Sequence, residues 1–230
     1  MDVAGNLRSV KDRIKRAAAR AGRDANGIKL VAVTKGVEPE RIIEAAKAGH
    51  LTFGENYAQE FRLKKEIIER TVPESVEWHF IGRLQRNKVK YLVGEVSLIH
   101  SLDSLSAARE IERKAAALGI RAPVLIEVDT GGEETKGGVS LEDVEGFLRS
   151  LGEFPSIEVR GLMTMPPYFD DPAKARPYFR QLRELRDRLS AKYPGLRELS
   201  MGMSGDFEAA IEEGATIVRV GTTIFAPRLK

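Results

Sequence analysis

Hydrophobic positions along the 230-residue chain follow two alternating rhythms. Near the start, Leu7, Val10, Ile14 and Ala17 or Ala18 recur at three- and four-residue steps with Arg and Lys between them. That spacing predicts an amphipathic helix over 3–21, ended by Gly22. Residues 28–34 are then almost continuously apolar, as in a short strand buried on both faces, and the run stops at Lys35. Glu38 and Pro39 open the next helix, with proline in the first turn where its missing N–H is harmless, and it continues through Ile42, Ile43, Ala45 and Ala46 to Gly49. The alternation then repeats. Further strands are predicted at 51–53, 78–81, 96–100, 123–129, 157–163, 198–200 and 216–220. Helices are predicted at 57–69, with Asn56 as its cap, and at 85–93, 104–118, 141–148, 172–192 and 207–213.

Every link between strands is too long for a hairpin, so the strands run parallel. Eight such units in about 200 residues, with no long insert, predict a closed (β/α)8 TIM barrel with the first helix as an extra element. An open doubly wound sheet is the competitor, but no Gly-x-Gly-x-x-Gly follows the first strand. No linker, repeat or low-complexity stretch divides the chain, so residues 1–230 are read as a single domain.

Composition narrows the function classes. The absence of cysteine excludes disulfides, thiolate nucleophiles and thiolate metal sites, and fits a reducing compartment. No apolar run approaches the roughly 20 residues of a membrane span, and Met1-Asp2-Val3-Ala4-Gly5-Asn6 lacks the pattern of a signal peptide, so a cytoplasmic protein with no membrane partner is expected. The net charge of +3, from 37 basic and 34 acidic residues, gives no general pull towards nucleic acid. The cluster of Arg83, Arg86, Lys88 and Lys90 is local and carries no interleaved aromatics, so no nucleic-acid partner is expected.

A parallel barrel gathers the carboxyl ends of its strands on one face. The residues that follow each strand there are Lys35; Gly54, Glu55 and Asn56; Gly82 and Arg83; Asp103; Asp129, Thr130 and Gly131; Met163 to Met165; Ser200 to Gly205; and Gly221 with Thr222. Phosphate sites in such barrels are frequently built by the last two loops. Ser200-Met201-Gly202-Met203-Ser204-Gly205-Asp206 supplies hydroxyls and small residues ahead of a helix, and Gly221-Thr222-Thr223 offers more of the same. The same residues also suit plain turns. A strand-end lysine together with phosphate-binding loops suggests pyridoxal 5'-phosphate, whose aldehyde forms a Schiff base with a desolvated amine. Arg219 lies two residues before Gly221 and shares its strand face. If that face is inward, a guanidinium meets the cofactor ring and disfavours protonation of the pyridine nitrogen; if outward, it faces the helices.

Other motifs carry less. Gly202-Met203-Ser204-Gly205 has its second glycine one residue early for a nucleophile elbow. The loop 131–138 carries Lys136 but lacks the Gly-Lys-Ser/Thr ending of a nucleotide-binding loop. His79 and His100 are single strand histidines with no clustered partner, read as core or pocket lining rather than metal ligands. Met163, Met165, Met201 and Met203 are read as packing or pocket wall.

The stretches Val31-Ala32-Val33-Thr34-Lys35, Phe53-Gly54-Glu55-Asn56-Tyr57, Trp78-His79-Phe80-Ile81-Gly82 with Leu84-Gln85 and Asn87-Lys88, Lys136-Gly137, Arg160-Gly161-Leu162-Met163, Leu199-Ser200-Met201-Gly202-Met203-Ser204 and Val218-Arg219-Val220-Gly221-Thr222 cover nearly the whole chain. With them the sequence resembles the YggS/PROSC family of small pyridoxal-phosphate homeostasis proteins. The resemblance implies a fold-type III barrel like the N-terminal domain of alanine racemase. It implies Lys35 as the Schiff-base lysine, Ser204, Gly221 and Thr222 as phosphate holders with Ser200 and Met201 as helpers, Arg219 as partner of the pyridine nitrogen, and Asn56 as a residue lining the ring. Arg83 departs from it, standing where many relatives carry a small residue or proline.

The resemblance implies a monomeric, non-catalytic carrier that stores the cofactor or hands it to apo-enzymes. The alternative is a fold-type III amino-acid racemase. Racemases like alanine racemase add a β-domain that supplies a catalytic tyrosine across the dimer, and only about ten residues follow Arg219 here. A racemase also needs an acid–base group on each face of the substrate carbon. Lys35 serves one face, while Tyr57, Tyr168 and Tyr178 have no spacing that places them on the other.

Overall fold

A computed structural model of the chain describes residues 2–132 and 137–225. The strands are β1 (Lys29–Val33), β2 (Thr52–Glu55), β3 (Glu77–Phe80), β4 (Leu98–Leu102), β5 (Ala122–Asp129), β6 (Val139–Ser140), β7 (Ile157–Met163), β8 (Glu198–Ser200) and β9 (Ile217–Val220). Each pairs in parallel with its neighbours, and the ring closes where β1 meets β9 (Leu30 opposite Val218) and β4 meets β5 (Ile99 opposite Val124). The result is a closed eight-stranded barrel, with β6 a two-residue ladder on the end of β5. The apolar runs made these strands legible because a strand covered on both faces needs few polar side chains.

Around the barrel lie α1 (Val3–Arg20), α2 (Pro39–Lys47), α3 (Ala58–Thr71), α4 (Leu105–Leu118), α5 (Val144–Leu151), α6 (Arg176–Ser190), α7 (Phe207–Glu212) and α8 (Thr222–Phe225). Three expectations need correction. The helix expected at 85–93 is a 3-10 helix, Arg86–Tyr91, anchored by buried Val89, because its other residues are mostly polar and offer no full apolar stripe. Asn56 is not a helix cap; α3 starts at Ala58 behind Tyr57. The long helix expected at 172–192 opens as a 3-10 turn, Pro172–Ala175, since Pro177 in the first turn of α6 has no N–H for an earlier carbonyl.

Side chains alternate along each strand and make two cores. Outside, Leu30, Ala32, Phe53, Trp78 and Phe80 pack against the helices, with Trp78 5.6 Å from Phe53 and 5.7 Å from Phe61 between ring centres. Inside, Val31, Leu98, Leu125, Met163 and Ile217 form a small apolar layer. The extra helix α1 braces the far end of the chain: Arg13 pairs with Glu208 at 2.9 Å, Arg20 with Glu212 at 2.7 Å, and the Asn6 amide donates to the Ile224 carbonyl at 2.9 Å. Among the described residues no helix is long and apolar enough to cross a membrane.

Candidate functional site

The carboxyl ends of the strands surround a cavity of about 600 Å3. Six of the eight residues singled out from the sequence line it: Lys35, Asn56, Ser204, Arg219, Gly221 and Thr222. Lys35 sits two residues past β1, in a turn closed by the Val37 N–H donating to the Thr34 carbonyl at 2.9 Å. Gly36 takes a positive φ of 61°, which a glycine adopts without strain.

A buried clamp fixes the backbone on both sides of Lys35. The Lys64 ammonium donates to the Thr34 carbonyl at 2.7 Å, to Glu55 at 2.6 Å and to Glu60 at 2.8 Å. The Thr34 hydroxyl donates to Glu55 at 2.7 Å, and the Gly36 N–H donates to Glu60 at 2.8 Å. Burial pushes the Glu55 carboxyl up, while Lys64 and Thr34 pull it down. The Lys35 ammonium lies 5.3 Å from the centre of the Tyr57 ring.

Asn56 follows β2 and lines the cavity, and its side-chain oxygen is buried with no hydrogen-bond partner. Its backbone is pressed against β3: a Cβ on Gly82 would lie 1.9 Å from the Asn56 carbonyl oxygen, so only glycine fits. Opposing polar groups come from the last two loops. The Ser204 hydroxyl accepts from the Gly221 N–H at 3.2 Å, and Asp206 ties the same loop by accepting from the Met203 N–H at 2.6 Å. Helix α7 has only six residues, so an anion here would rest on hydroxyls and backbone N–H groups more than on a helix dipole.

Arg219 points into the barrel and is 4% exposed. It donates to the Ser200 hydroxyl at 2.5 Å and to the Thr164 carbonyl at 3.0 Å. Burial lowers it to about 10, against the pull of Glu127 and Asp206, so it stays cationic at neutral pH.

Ser200 and Met201 do not line the cavity. Ser200 is buried, its hydroxyl held by Arg219 and by His100 at 2.8 Å, and Met201 is packed in the outer core. Strand alternation turns one inward below the cavity floor and the other outward. The view of His79 and His100 as lacking partners also needs correction, since their rings meet through Nδ1 of His79 and Nε2 of His100 at 2.8 Å. Glu127 was hidden in a strand read as almost unbroken apolar; its signal was a carboxylate two residues before Asp129, on the same face. It is 9% exposed, and burial, aided by Asp103 and opposed by Arg219 and Arg83, pushes it up to about 7. Among the described residues no group of three or more His, Asp or Glu side chains could hold a metal ion. Lys136 lies outside the described residues.

Residues 5–228 match the model of the alanine racemase N-terminal domain. A pyridoxal phosphate homeostasis protein of Aquifex aeolicus (strain VF5) is 52% identical over 229 residues, covering 99% of both chains. The chain belongs to the family of pyridoxal phosphate homeostasis proteins. The solved structure of a second protein, PipY of Synechococcus elongatus PCC7942 with pyridoxal phosphate bound, is 32% identical, covers 97% of this chain and 99% of its own, and superposes with a TM-score of 0.83. Alanine racemase of Clostridium difficile 630 shares the barrel alone, at 17% identity and a TM-score of 0.69, with all of this chain covering 57% of that one. This homeostasis-protein chain therefore carries the expected (β/α)8 barrel, fold type III, with the extra helix α1 in place.

Proposed function

We propose that this chain binds pyridoxal 5'-phosphate in the barrel cavity, holds it reversibly on Lys35, and serves to store the cofactor or deliver it to apo-enzymes inside the cell. The observation that carries this reading is the donor set of one cavity: a primary amine at Lys35, hydroxyls and N–H groups at Ser204, Gly221 and Thr222, and a buried cation at Arg219. When bound, the cofactor supplies an aldehyde that condenses with a primary amine, losing water, and so can be attached and released without net redox change.

Within that cavity Lys35 supplies the amine, and the Lys64–Glu55–Glu60 clamp keeps its backbone from shifting. Ser204, Gly221 and Thr222 hold the phosphate by hydrogen bonds to its oxygens. Arg219, a donor with no acceptor, keeps a proton off a ring nitrogen placed before it. An unprotonated ring is a weak electron sink, which favours holding the cofactor over carbanion chemistry. The neighbouring phenol of Tyr168 is 84% exposed at the mouth, where water reaches it, which supports a carrier over a racemase.

The test loads purified protein with the cofactor and mixes it with an apo-enzyme that requires it, while a parallel sample is incubated with single-enantiomer amino acids. The expected result is restored apo-enzyme activity, no change of enantiomer, and in Lys35→Ala a cofactor affinity reduced by about tenfold to a hundredfold with residual phosphate-driven binding. Racemisation lost in Lys35→Ala would instead make the chain an enzyme. Failure of the wild type to take up the cofactor would overturn the reading altogether.

A further inference from the structure

Below the cavity floor a file of hydrogen bonds runs down the inside of the barrel. Arg219 on β9 meets the Ser200 hydroxyl on β8 at 2.5 Å. Ser200 meets Nδ1 of His100 on β4 at 2.8 Å, and Nε2 of His100 meets Nδ1 of His79 on β3 at 2.8 Å. Nε2 of His79 meets the Glu77 carboxylate at 3.0 Å, and Glu77 closes the file with Lys29 of β1 at 2.7 Å. Glu77 and Lys29 are partly exposed, whereas the four groups above them are buried.

The carboxylate end, together with rings that burial keeps neutral, fixes the protons along the file. A guanidinium only donates and a carboxylate only accepts. The Ser200 oxygen accepts from Arg219 but could accept a second bond as well, so the direction is set from the Glu77 end. A neutral His79 that gives its Nε2 proton to Glu77 has a bare Nδ1, so His100 carries its proton on Nε2, gives it to His79 Nδ1, and leaves its own Nδ1 bare for the Ser200 hydroxyl. All four bonds point from Arg219 to Glu77, and both imidazoles are neutral. Burial acts in the same direction, lowering both histidines, while the bond from His79 holds Glu77 down at about 2.

Such a file is costly as mere filling. Its neighbours inside the barrel are apolar, namely Val31, Leu98, Leu125, Met163 and Ile217, and buried polar groups destabilise unless all are paired. What the file does is give Arg219 a fixed acceptor. The charged groups around it pull elsewhere: Glu127 on β5 and Asp206 before α7 both attract the guanidinium, and Lys29 on β1 and Glu198 on β8 act on His79. We propose that Ser200, His100, His79 and Glu77 are positioning residues, a one-way hydrogen-bond file that locks the Arg219 guanidinium at the cavity wall and ties it to the opposite end of the barrel. The consequence at the ring rests on the function proposed above; the file itself does not.

Two measurements separate these. The first uses unloaded protein with 15N-labelled histidine. Resonances of His79 and His100, assigned with His79→Phe and His100→Phe, are expected to report neutral rings protonated on Nε2 at pH 7, and Ser200→Ala is expected to shift Nδ1 of His100. A proton on Nδ1 of either ring, or a charged ring, overturns the file. The second adds pyridoxal phosphate to Ser200→Ala and His100→Phe, with Leu125→Ala, an interior truncation off the file, as the stability control. The file predicts a changed absorption maximum and a shift of about one unit in the pH midpoint of the bound chromophore in the first two but not in Leu125→Ala. Equal spectra in all three would overturn the positioning role. Lack of uptake by the wild type would refute the proposed function and, with it, the consequence at the ring, leaving the histidine resonances to judge the file.

Discussion

Glu127 is a carboxyl that folding makes harder to ionise. Its folded value near 7 lies above its ordinary 4.5 because burial and Asp103 outweigh the attraction of Arg219 and Arg83. A raised value means that the native state holds this proton more tightly than the unfolded chain does. The contribution to stability is therefore full below about 4.5, declines as the pH rises through 7, and is absent above. Glu127→Gln removes that dependence. Relative to the wild type it is expected to gain up to about 3 kcal/mol between pH 4 and pH 8, read from urea denaturation at each pH. Parallel pH profiles for the two proteins would show that Glu127 ionises without penalty. Beside Arg219, a neutral Glu127 also leaves the guanidinium with less competition for its hold on Ser200.

Between β2 and α3 the ion pair of Lys64 with Glu55 joins two elements and frames the Lys35 turn. Removing one partner of a buried pair leaves the other uncompensated, so Lys64→Met is expected to destabilise by about 3–5 kcal/mol. Adding Glu55→Gln should recover part of that loss, because the remaining group is then uncharged. A loss below about 1 kcal/mol in the single variant would place the pair in water. These contacts mark where reading the sequence stopped. Strands such as β7 and β8 were legible to the residue, β7 through the alternation of Ile157 and Val159 with Glu158 and Arg160. Lys35, Arg219 and Gly221 were legible too, since strand ends and alternation place them on one face. The clamp and the histidine file were not. Lys64 looks like one more lysine on a charged helix, and His79 meets a residue 21 positions away, while Ser200 lies 100 positions from its partner His100. Partners so remote leave no local pattern. The alternation of Glu77 and His79 along β3 was the one available hint of an inward polar face.

Closure of the barrel makes each strand depend on two others and leaves no edge to fray. The helix α1 adds to this by gripping α7 and the Ile224 carbonyl in α8, just beyond the cavity-lining Gly221 and Thr222. Such a chain is expected to unfold as one unit. Fluorescence of the single tryptophan, Trp78, and far-ultraviolet circular dichroism should follow coincident denaturant transitions, whereas separated transitions would indicate two domains. The same architecture puts one amine, Lys35, into a cavity with the hydroxyls of Ser204 and Thr222 and a buried guanidinium, and the function proposed above has this amine carry pyridoxal phosphate. The most direct measurement is an absorbance spectrum of the protein with added cofactor, before and after borohydride, followed by peptide mass mapping. The account predicts a visible band that borohydride abolishes and a pyridoxyl adduct fixed on Lys35. No band, or an adduct spread over surface lysines with Lys35 unmodified, would contradict it.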